Sequence, residues 1–220
     1  MKFKSNPNQL TCPYCGSKKY VLALMSGNTI GARIWSDSRR VCPMLPQVGP
    51  VHKCKNCGRF YFYEDGNPKE AVIPAGEEEK AHDEACWNFF CGMNFTDLFC
   101  ASKDLEATKT SEEQWDRYLL ECVFAYNDEK TKRADREFEP FFEAGEWAFR
   151  LIAEKVIARF GEDKTITAEL YRELGNFDKS IELCHKLITA GTDVEAVKQI
   201  LAHAEQHDPE VFVLQFDRNK

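Results

Sequence analysis

The sequence predicts an α+β fold, in which a small antiparallel β unit precedes an all-α helical bundle. Strand-forming residues alternate with turns over residues 1–64, where two Cys-x-x-Cys-Gly motifs also lie. After residue 79, apolar residues recur at three- and four-residue spacing, which is typical of amphipathic helices. Turn-forming residues, including Gly66, Pro68, Pro74 and Gly76, separate the two parts. We therefore predict a β domain at 1–64, a linker at 65–78 and a helical domain at 79–220.

Charge divides along the same line. Residues 1–64 carry ten Lys and Arg against two acids, so this segment has a net charge of +8. The remaining 156 residues carry 19 basic and 34 acidic side chains, a net charge of −15. Such asymmetry predicts two modules with different surfaces, although the two parts also have the charges to attract one another.

The longest apolar run, Tyr20 to Met25, is far shorter than the roughly 20 residues that a membrane-spanning helix needs. The first ten residues are polar and basic and show no targeting signal. We therefore expect a cytoplasmic protein with no membrane partner. In a reducing compartment, its ten cysteines favour metal binding or buried thiols over disulfides.

Four of those cysteines form two closely spaced pairs, Cys12 with Cys15 and Cys54 with Cys57, each followed by glycine. In a Cys-x-x-Cys-Gly turn both thiolates can face one metal ion, and two such turns complete a tetrahedral shell. The intervening sequence favours strands at 19–25 and 30–35, and residues 59–63 favour a third.

Paired cysteine turns on a three-stranded antiparallel sheet resemble the zinc-ribbon family, over residues 11–63. The resemblance implies one structural Zn²⁺ held by Cys12, Cys15, Cys54 and Cys57, with no open coordination position for catalysis. A redox dithiol is the alternative, but its usual βαβ context is missing from the sequence. His52 and Cys42 are weaker ligand candidates because neither has a partner at the required spacing.

Four residues between the cysteine pairs, Arg33, Trp35, Arg39 and Arg40, lie close together in the sequence. Guanidinium groups beside an exposed aromatic ring can hold phosphate and stack on a base, which makes nucleic acid a candidate partner. The structural alternative is that Trp35 covers a small core while the arginines are solvated or pair with acids.

Helical periodicity is clearest in three places. Ser111 and Gln114 fit a capping box at the start of a helix that ends near residue 128. A second helix follows Pro140, with a stop at Gly161 and an apolar stripe at Ala148, Ile152, Val156 and Phe160. Another is predicted from Val194 to Ala204, and the apolar segment at 211–216 is expected to dock on the bundle or on the β unit.

Residues 167–188 resemble one helical hairpin of the tetratricopeptide (TPR) family. Small side chains at Ala168 and Ser180 let two helices approach, and Gly175 permits the tight turn between them. Tyr171 and Phe177 fill the space alongside. The resemblance implies a concave surface that binds a protein partner.

Signatures of catalysis are few: the sequence has no phosphate-binding glycine loop, nucleophile elbow or His-Glu-x-x-His motif. His203 and His207 are spaced one helical turn apart, and His82, Cys86 and Cys91 are close in sequence, but solvated or buried side chains explain both groups. Cys91, followed by glycine, is the first candidate for a nucleophile. No role is predicted for the remaining single cysteines, Cys100, Cys122 and Cys184.

Three functions therefore follow, in order of preference. The first is a zinc-binding, non-enzymatic adaptor whose TPR-like half binds a protein partner. The second is a nucleic-acid-binding protein that uses the basic ribbon, and the third is a cysteine-dependent enzyme.

Overall fold

The computed structural model describes residues 1–45, 48–90, 93–107, 110–131 and 143–216. Within these described residues, nine short strands lie in the first part of the chain: β1 Lys2–Phe3, β2 Asn8–Thr11, β3 Lys18–Val21, β4 Leu24–Ser26, β5 Arg33–Ile34, β6 Arg40–Val41, β7 Val51–Lys53, β8 Phe60–Phe62 and β9 Lys69–Glu70. Seven α-helices follow in the described part: α1 Glu78–Phe90, α2 Phe95–Glu106, α3 Glu112–Thr131, α4 Glu143–Phe160, α5 Thr165–Glu173, α6 Phe177–Thr189 and α7 Val194–Glu205. The order of strands and helices confirms the predicted mixture of both classes.

Internal contacts divide the chain into two compact units. Unit 1 comprises Met1–Gly31 and Cys42–Glu121, and unit 2 comprises Ala32–Val41 and Cys122–Lys220. The sequence predicts domains at 1–64 and 79–220 that fold independently, joined by a linker at 65–78. That independence stays a prediction. Packing nevertheless groups α1, α2 and the start of α3 with the strands that flank the paired cysteines.

The strands of unit 1 form small separate sheets instead of the expected three-stranded ribbon. β2 pairs antiparallel with β3 from Asn8 opposite Val21 to Thr11 opposite Lys18, and β7 pairs with β8. Each of these pairs joins strands that are close in sequence, which keeps the entropy cost of loop closure low. The predicted strand at 19–25 is divided between β3 and β4, and the one at 30–35 is reduced to β5 in unit 2.

One sheet of three strands does form, in the order β3-β2-β9. Its third strand, β9, lies in the segment that the sequence assigned to the linker, and it pairs with β2 at Asn8 and Gln9. The core beside this sheet contains Leu10, Val21, Leu22 and Ala85, so α1 packs on the β structure of its own unit.

Local helix signals agree with the structure. At the start of α3, the backbone amide of Gln114 donates to Ser111 Oγ at 3.2 Å, and the backbone amide of Ser111 donates to the side-chain Oε1 of Gln114 at 3.0 Å. This is the reciprocal pairing of a capping box. In α4 the predicted stripe residues Ala148, Ile152 and Val156 are buried, and the helix ends before Gly161, whose φ is +76°.

Helices α5 and α6 form the hairpin that the sequence predicts at 167–188. The turn between them contains Gly175 with a φ of +76°, a conformation that side chains other than glycine rarely adopt. Ser180 Oγ donates to the carbonyl oxygen of Ala168 at 2.8 Å, and both residues are fully buried. The two helices therefore meet at their small residues.

The core of unit 2 connects α5, α6 and α7 through Ala168, Leu183, Cys184, Leu187, Val197 and Ile200. The segment after α7 packs on this core through Phe212. Its backbone also pairs with the 34–36 segment of the same unit, where the Leu214 amide donates to the Ile34 carbonyl at 2.8 Å. Among the described helices, none is both long and apolar enough to cross a membrane.

Candidate metal centre

The sulfurs of Cys12, Cys15, Cys54 and Cys57 converge, and all four lie within 4.8 Å of one another. The Cys12–Cys57 and Cys15–Cys54 sulfur pairs are separated by 3.7 and 3.6 Å. In a tetrahedral zinc site with Zn–S bonds of about 2.3 Å, the sulfurs are about 3.8 Å apart. The four side chains are therefore arranged to hold one metal ion, and the described cysteines form no disulfide.

Two turns of the same geometry position the sulfurs. Cys12 and Cys15 lie in the loop between β2 and β3, and Cys54 and Cys57 lie in the loop between β7 and β8. In the first turn the Gly16 amide donates to the Cys12 carbonyl at 2.9 Å, and in the second the Gly58 amide donates to the Cys54 carbonyl at 2.9 Å. Each loop thus closes its own hairpin while presenting two thiols to a common point.

The glycine after each pair has a structural reason. Gly16 and Gly58 both have a φ of +72°. An added Cβ would meet no atom within 4 Å at either position, so backbone conformation and not space requires glycine there. The backbone conformation therefore explains why a glycine follows each cysteine pair.

Polar groups surround the sulfurs. The Asn56 side-chain amide donates to Cys15 Sγ at 3.5 Å, and the backbone amide of Cys57 donates to Cys54 Sγ at 3.5 Å. Ser17 Oγ lies 3.0 Å from Cys54 Sγ and 3.3 Å from Cys15 Sγ. Such contacts orient ligand side chains and stabilise thiolates.

The four thiols differ in exposure and acidity. Cys12 and Cys54 are buried, whereas Cys15 and Cys57 are exposed. Burial raises the pKa of Cys12 to about 12, whereas hydrogen bonds from Asn56 and then Ser17 lower the pKa of Cys15 to about 5. Four-thiolate coordination requires every thiol to lose its proton, so metal binding releases protons and weakens in acid.

Aromatic residues close the buried side of the centre. Tyr61 packs with Cys12 and Cys54 and is 1% exposed, and Tyr14 lies against the same cluster. The guanidinium of Arg59 lies 3.6 Å from the centre of the Tyr14 ring, while its Nε contacts Asp104 at 3.4 Å. These contacts shield the inner sulfurs from water.

The weaker ligand candidates do not join the centre. Among the described residues, the four cysteines are the only group of three or more potential ligands close enough to hold an ion. His52 is buried and contacts the Tyr61 and Tyr63 rings, and burial followed by the charge of Lys19 lowers its pKa to about 3. Cys42 is half-buried.

The other histidine and cysteine groups have local partners. His203 Nδ1 lies 2.7 Å from Asp208 Oδ2, and the His207 ring meets Phe177 edge-on. His82 Nδ1 lies 3.5 Å from Cys86 Sγ. Cys91, the candidate nucleophile, lies outside the described residues. Cys100 is exposed, whereas Cys122 and Cys184 are buried.

The predicted nucleic-acid contacts do not form one patch. Arg33 pairs with Val41 and Arg40 pairs with Ile34 across β5 and β6, which places the two arginines on opposite faces. Arg39 lies 3.5 Å from Asp128 and over the ring of Phe124. Trp35 is half-buried and bridges to Val213. The structural alternative, with a packed tryptophan and a paired arginine, describes these two residues.

Beside the metal centre lies a cavity of about 340 Å³. Its lining residues are Lys19, Gly49, Val51, His52, Lys53, Cys54, Lys55, Gly58, Asn88, Met93 and Asp97. Burial, followed by the charge of Lys55, lowers the pKa of Lys19 to about 8. The sequence showed an excess of basic residues in this region but gave no reason to single out these lysines.

Unit 2 contains a buried network of charged and polar groups that periodicity did not reveal. Arg172 and Glu169 are both fully buried, and Arg172 Nη2 donates to Glu169 Oε1 at 2.5 Å. Arg172 Nη1 also donates to the Asp208 carbonyl. Asn127 Nδ2 donates to both Asp37 and Glu173. An acid and an arginine three residues apart in α5 are the only sequence signal of this network.

Comparison of the chain with protein-family models, with curated proteins and with solved structures found no match. The geometry of the four cysteines is therefore the main guide to function.

Proposed function

We propose that the protein is a zinc-stabilised, non-enzymatic adaptor of the cytoplasm, and that its helical half binds a protein partner. The observation that supports the metal-binding part of this proposal is the convergence of four thiol sulfurs, two pairs of which are 3.7 and 3.6 Å apart. A shell of four thiolates leaves no coordination position for water or substrate, so the ion has a structural role. A reducing compartment would keep these thiols available for metal.

The zinc-ribbon and TPR-like resemblances belong to the same proposal. Matched cysteine turns on two hairpins support the first, and the close Ser180–Ala168 contact between α5 and α6 supports the second. Zinc is preferred over iron because a single tetrahedral four-cysteine site with rigid turns is the usual structural zinc site.

An exposed tryptophan supports partner binding by unit 2. Trp147 lies on α4 and is 61% exposed, whereas the neighbouring Ala148 and Phe149 are buried. Tryptophan is enriched among the residues that contribute most to protein–protein binding. We therefore place the partner contact on the face of α4 that carries Trp147.

The test is capture of partners by the full chain from nuclease-treated lysate, comparing wild type with Trp147→Ala. We expect the tryptophan variant to lose the specifically enriched protein while remaining folded and keeping its zinc content. Ile30→Ala is the matched control, because Ile30 is also a large exposed apolar residue but lies in unit 1. Equal capture by the wild-type protein and the tryptophan variant would show that the partner does not bind this face of α4.

The absence of enzymatic activity is tested separately by alkylation of the zinc-loaded protein. In an adaptor the exposed Cys100 should react no faster than an ordinary free thiol, and the buried Cys122 and Cys184 should react more slowly. A thiol outside the metal centre that reacts far faster than an ordinary free thiol would favour the cysteine-dependent enzyme.

A further inference from the structure

The cavity beside the metal centre collects positive charge within unit 1. Lys19 comes from β3, Lys53 from β7, and Lys55 from the turn that holds Cys54 and Cys57. Lys53 is neutralised by Asp97, whose Oδ1 lies 2.9 Å from its ammonium group. Lys19 and Lys55 make no ion pair with any described residue. Two positive charges in the lining therefore lack an acid in direct contact.

These two charges repel each other. Lys55 disfavours the charged form of Lys19, and Lys19 is also half-buried, with its ammonium 5.9 Å from the centre of the Tyr61 ring. The negative charges of Cys54, Glu84 and Cys12 favour the charged form of Lys19, but they do not offset the lowering of its pKa. A bound anion would remove the repulsion and restore the solvation that burial takes away.

A buried polar atom lies in the same lining. His52 is 5% exposed, and its Nε2 is buried without a hydrogen-bond partner in the described part of the chain. Buried polar atoms normally have a partner, and one that does not calls for a bound group or a water. The lining residues thus include two lysines without an acid in direct contact and a histidine with a buried, unsatisfied ring nitrogen.

The thiolates do not account for these lysines by direct contact. No described lysine donates to any of the four sulfurs, whose contacts come from Ser17, Asn56 and the Cys57 amide. Because Lys19 and Lys55 line the cavity without donating to a sulfur, both can contact a ligand that binds there.

We infer that this cavity binds a phosphate monoester, with Lys19 and Lys55 contacting the phosphate and the remaining lining enclosing a small organic group. A phosphate monoester carries a charge close to −2 at neutral pH, which matches the two unpaired ammonium groups. The volume of about 340 Å³ lies at the lower end of the range for small-molecule sites, about 300–1,000 Å³. This inference goes beyond the adaptor function and does not depend on it.

A small phosphate monoester fits better than a nucleic-acid strand. A strand contacts a row of cations along an open groove. Here the cations line a concave site between β3, β7 and α1, and the other basic candidates, Arg33, Arg39 and Arg40, lie in unit 2.

The test is calorimetric titration of the zinc-loaded full chain at low ionic strength with adenosine monophosphate, inorganic phosphate and adenosine. We expect the monophosphate to bind, inorganic phosphate to compete with it, and adenosine to bind far more weakly. Lys19→Gln and Lys55→Gln should each weaken binding about tenfold or more, because each removes a charge-assisted contact. Lys198→Gln, which removes an exposed lysine from α7, should leave binding unchanged.

Zinc content measured on every variant keeps the test informative, since Lys55 lies between two ligands. If Lys55→Gln loses zinc, Lys19→Gln alone decides the outcome. No binding of the monophosphate, or equal binding of adenosine, would overturn the inference. So would tighter binding of an oligonucleotide without terminal phosphates, or lysine variants that lower zinc affinity while leaving phosphate binding intact.

Discussion

The two units of this protein are ordered by different means. In unit 1 the strands that flank the four cysteines contain only three or four residues each, and the loops of two hairpins bring the four sulfurs together. In unit 2 the helices α5, α6 and α7 contain 9 to 13 residues and share a continuous apolar core. Short strands bury little apolar surface, so a metal ion held by the four thiols would add stability that packing supplies in the helical unit.

Removing the metal should produce the largest difference in stability between the two units. Chelation, or the double variant Cys12→Ser and Cys54→Ser, should remove on the order of 10 kcal/mol of apparent binding energy from unit 1. Elemental analysis should find one zinc per wild-type chain and none in the double variant. Hydrogen exchange should then show lost protection in β2, β3, β7 and β8, with α5–α7 still protected.

Cys100→Ser is the control for this experiment, because Cys100 is an exposed cysteine of unit 1 outside the metal centre. Its variant should keep zinc and protection. Iron in place of zinc would correct the identity of the ion, and simultaneous loss of protection in α5–α7 would contradict the comparison.

The converse experiment targets the buried ion pair of unit 2. Arg172→Met leaves the fully buried Glu169 carboxylate without its guanidinium, which should lower the free energy of unfolding by about 3–5 kcal/mol. Urea denaturation measures this loss, and zinc content should not change. The control is Lys179→Met, which breaks the solvent-screened pair with Glu162 and should change stability far less than Arg172→Met does.

A change at Glu173 should make the pH dependence of unit 2 visible. Burial, followed by the charges of Glu169 and Asp37, raises the pKa of Glu173 well above its ordinary value of 4.5. The folded state therefore holds this proton more tightly than the unfolded state, and the unfolding free energy falls as pH rises above about 4.5. Glu173→Gln keeps an acceptor for Asn127 and removes the ionisation.

The glutamine variant should be more stable than wild type at neutral pH and equally stable below the ordinary carboxyl pKa. Melting temperatures measured across this pH range test the difference. Glu205→Gln, an exposed substitution on α7, should leave the wild-type slope unchanged. A slope that persists in the Glu173 variant would assign it to another group.

The smallest expected effect comes from replacing one glycine of positive φ in each unit. Gly16 and Gly175 have φ values of +72° and +76°, and a Cβ added at either would meet no atom within 4 Å. Alanine at each should therefore cost about 1 kcal/mol through conformation alone. Gly16→Ala should weaken zinc affinity about fivefold, whereas Gly175→Ala should lower the melting temperature of unit 2 with zinc affinity unchanged.

Features set by neighbouring residues were predictable from the sequence. The two Cys-x-x-Cys-Gly turns, the capping box at Ser111 and the Gly175 turn each depend on a few adjacent positions, and each has the expected geometry. The helical stripe that buries Ala148, Ile152 and Val156 follows from the period of the α-helix in the same way.

Pairings between distant segments were decided only in the tertiary structure. The sequence placed β9 in a linker, yet it pairs with β2, more than 50 residues earlier. Likewise, residues 32–41 belong to unit 2, where Ile34 accepts a hydrogen bond from Leu214. Two-residue strands carry almost no periodic signal, so nothing local specifies their partners.

The same division applies to the functional residues. The sequence by itself determined which four cysteines converge to form a candidate metal site, because their spacing defines each turn. Only the tertiary structure showed that Lys19 and Lys55 share a cavity, that Arg33 and Arg40 face opposite ways, and that Arg172 is buried against Glu169. Local geometry depends on covalent neighbours, whereas the environment of a charge depends on whatever the whole fold packs around it.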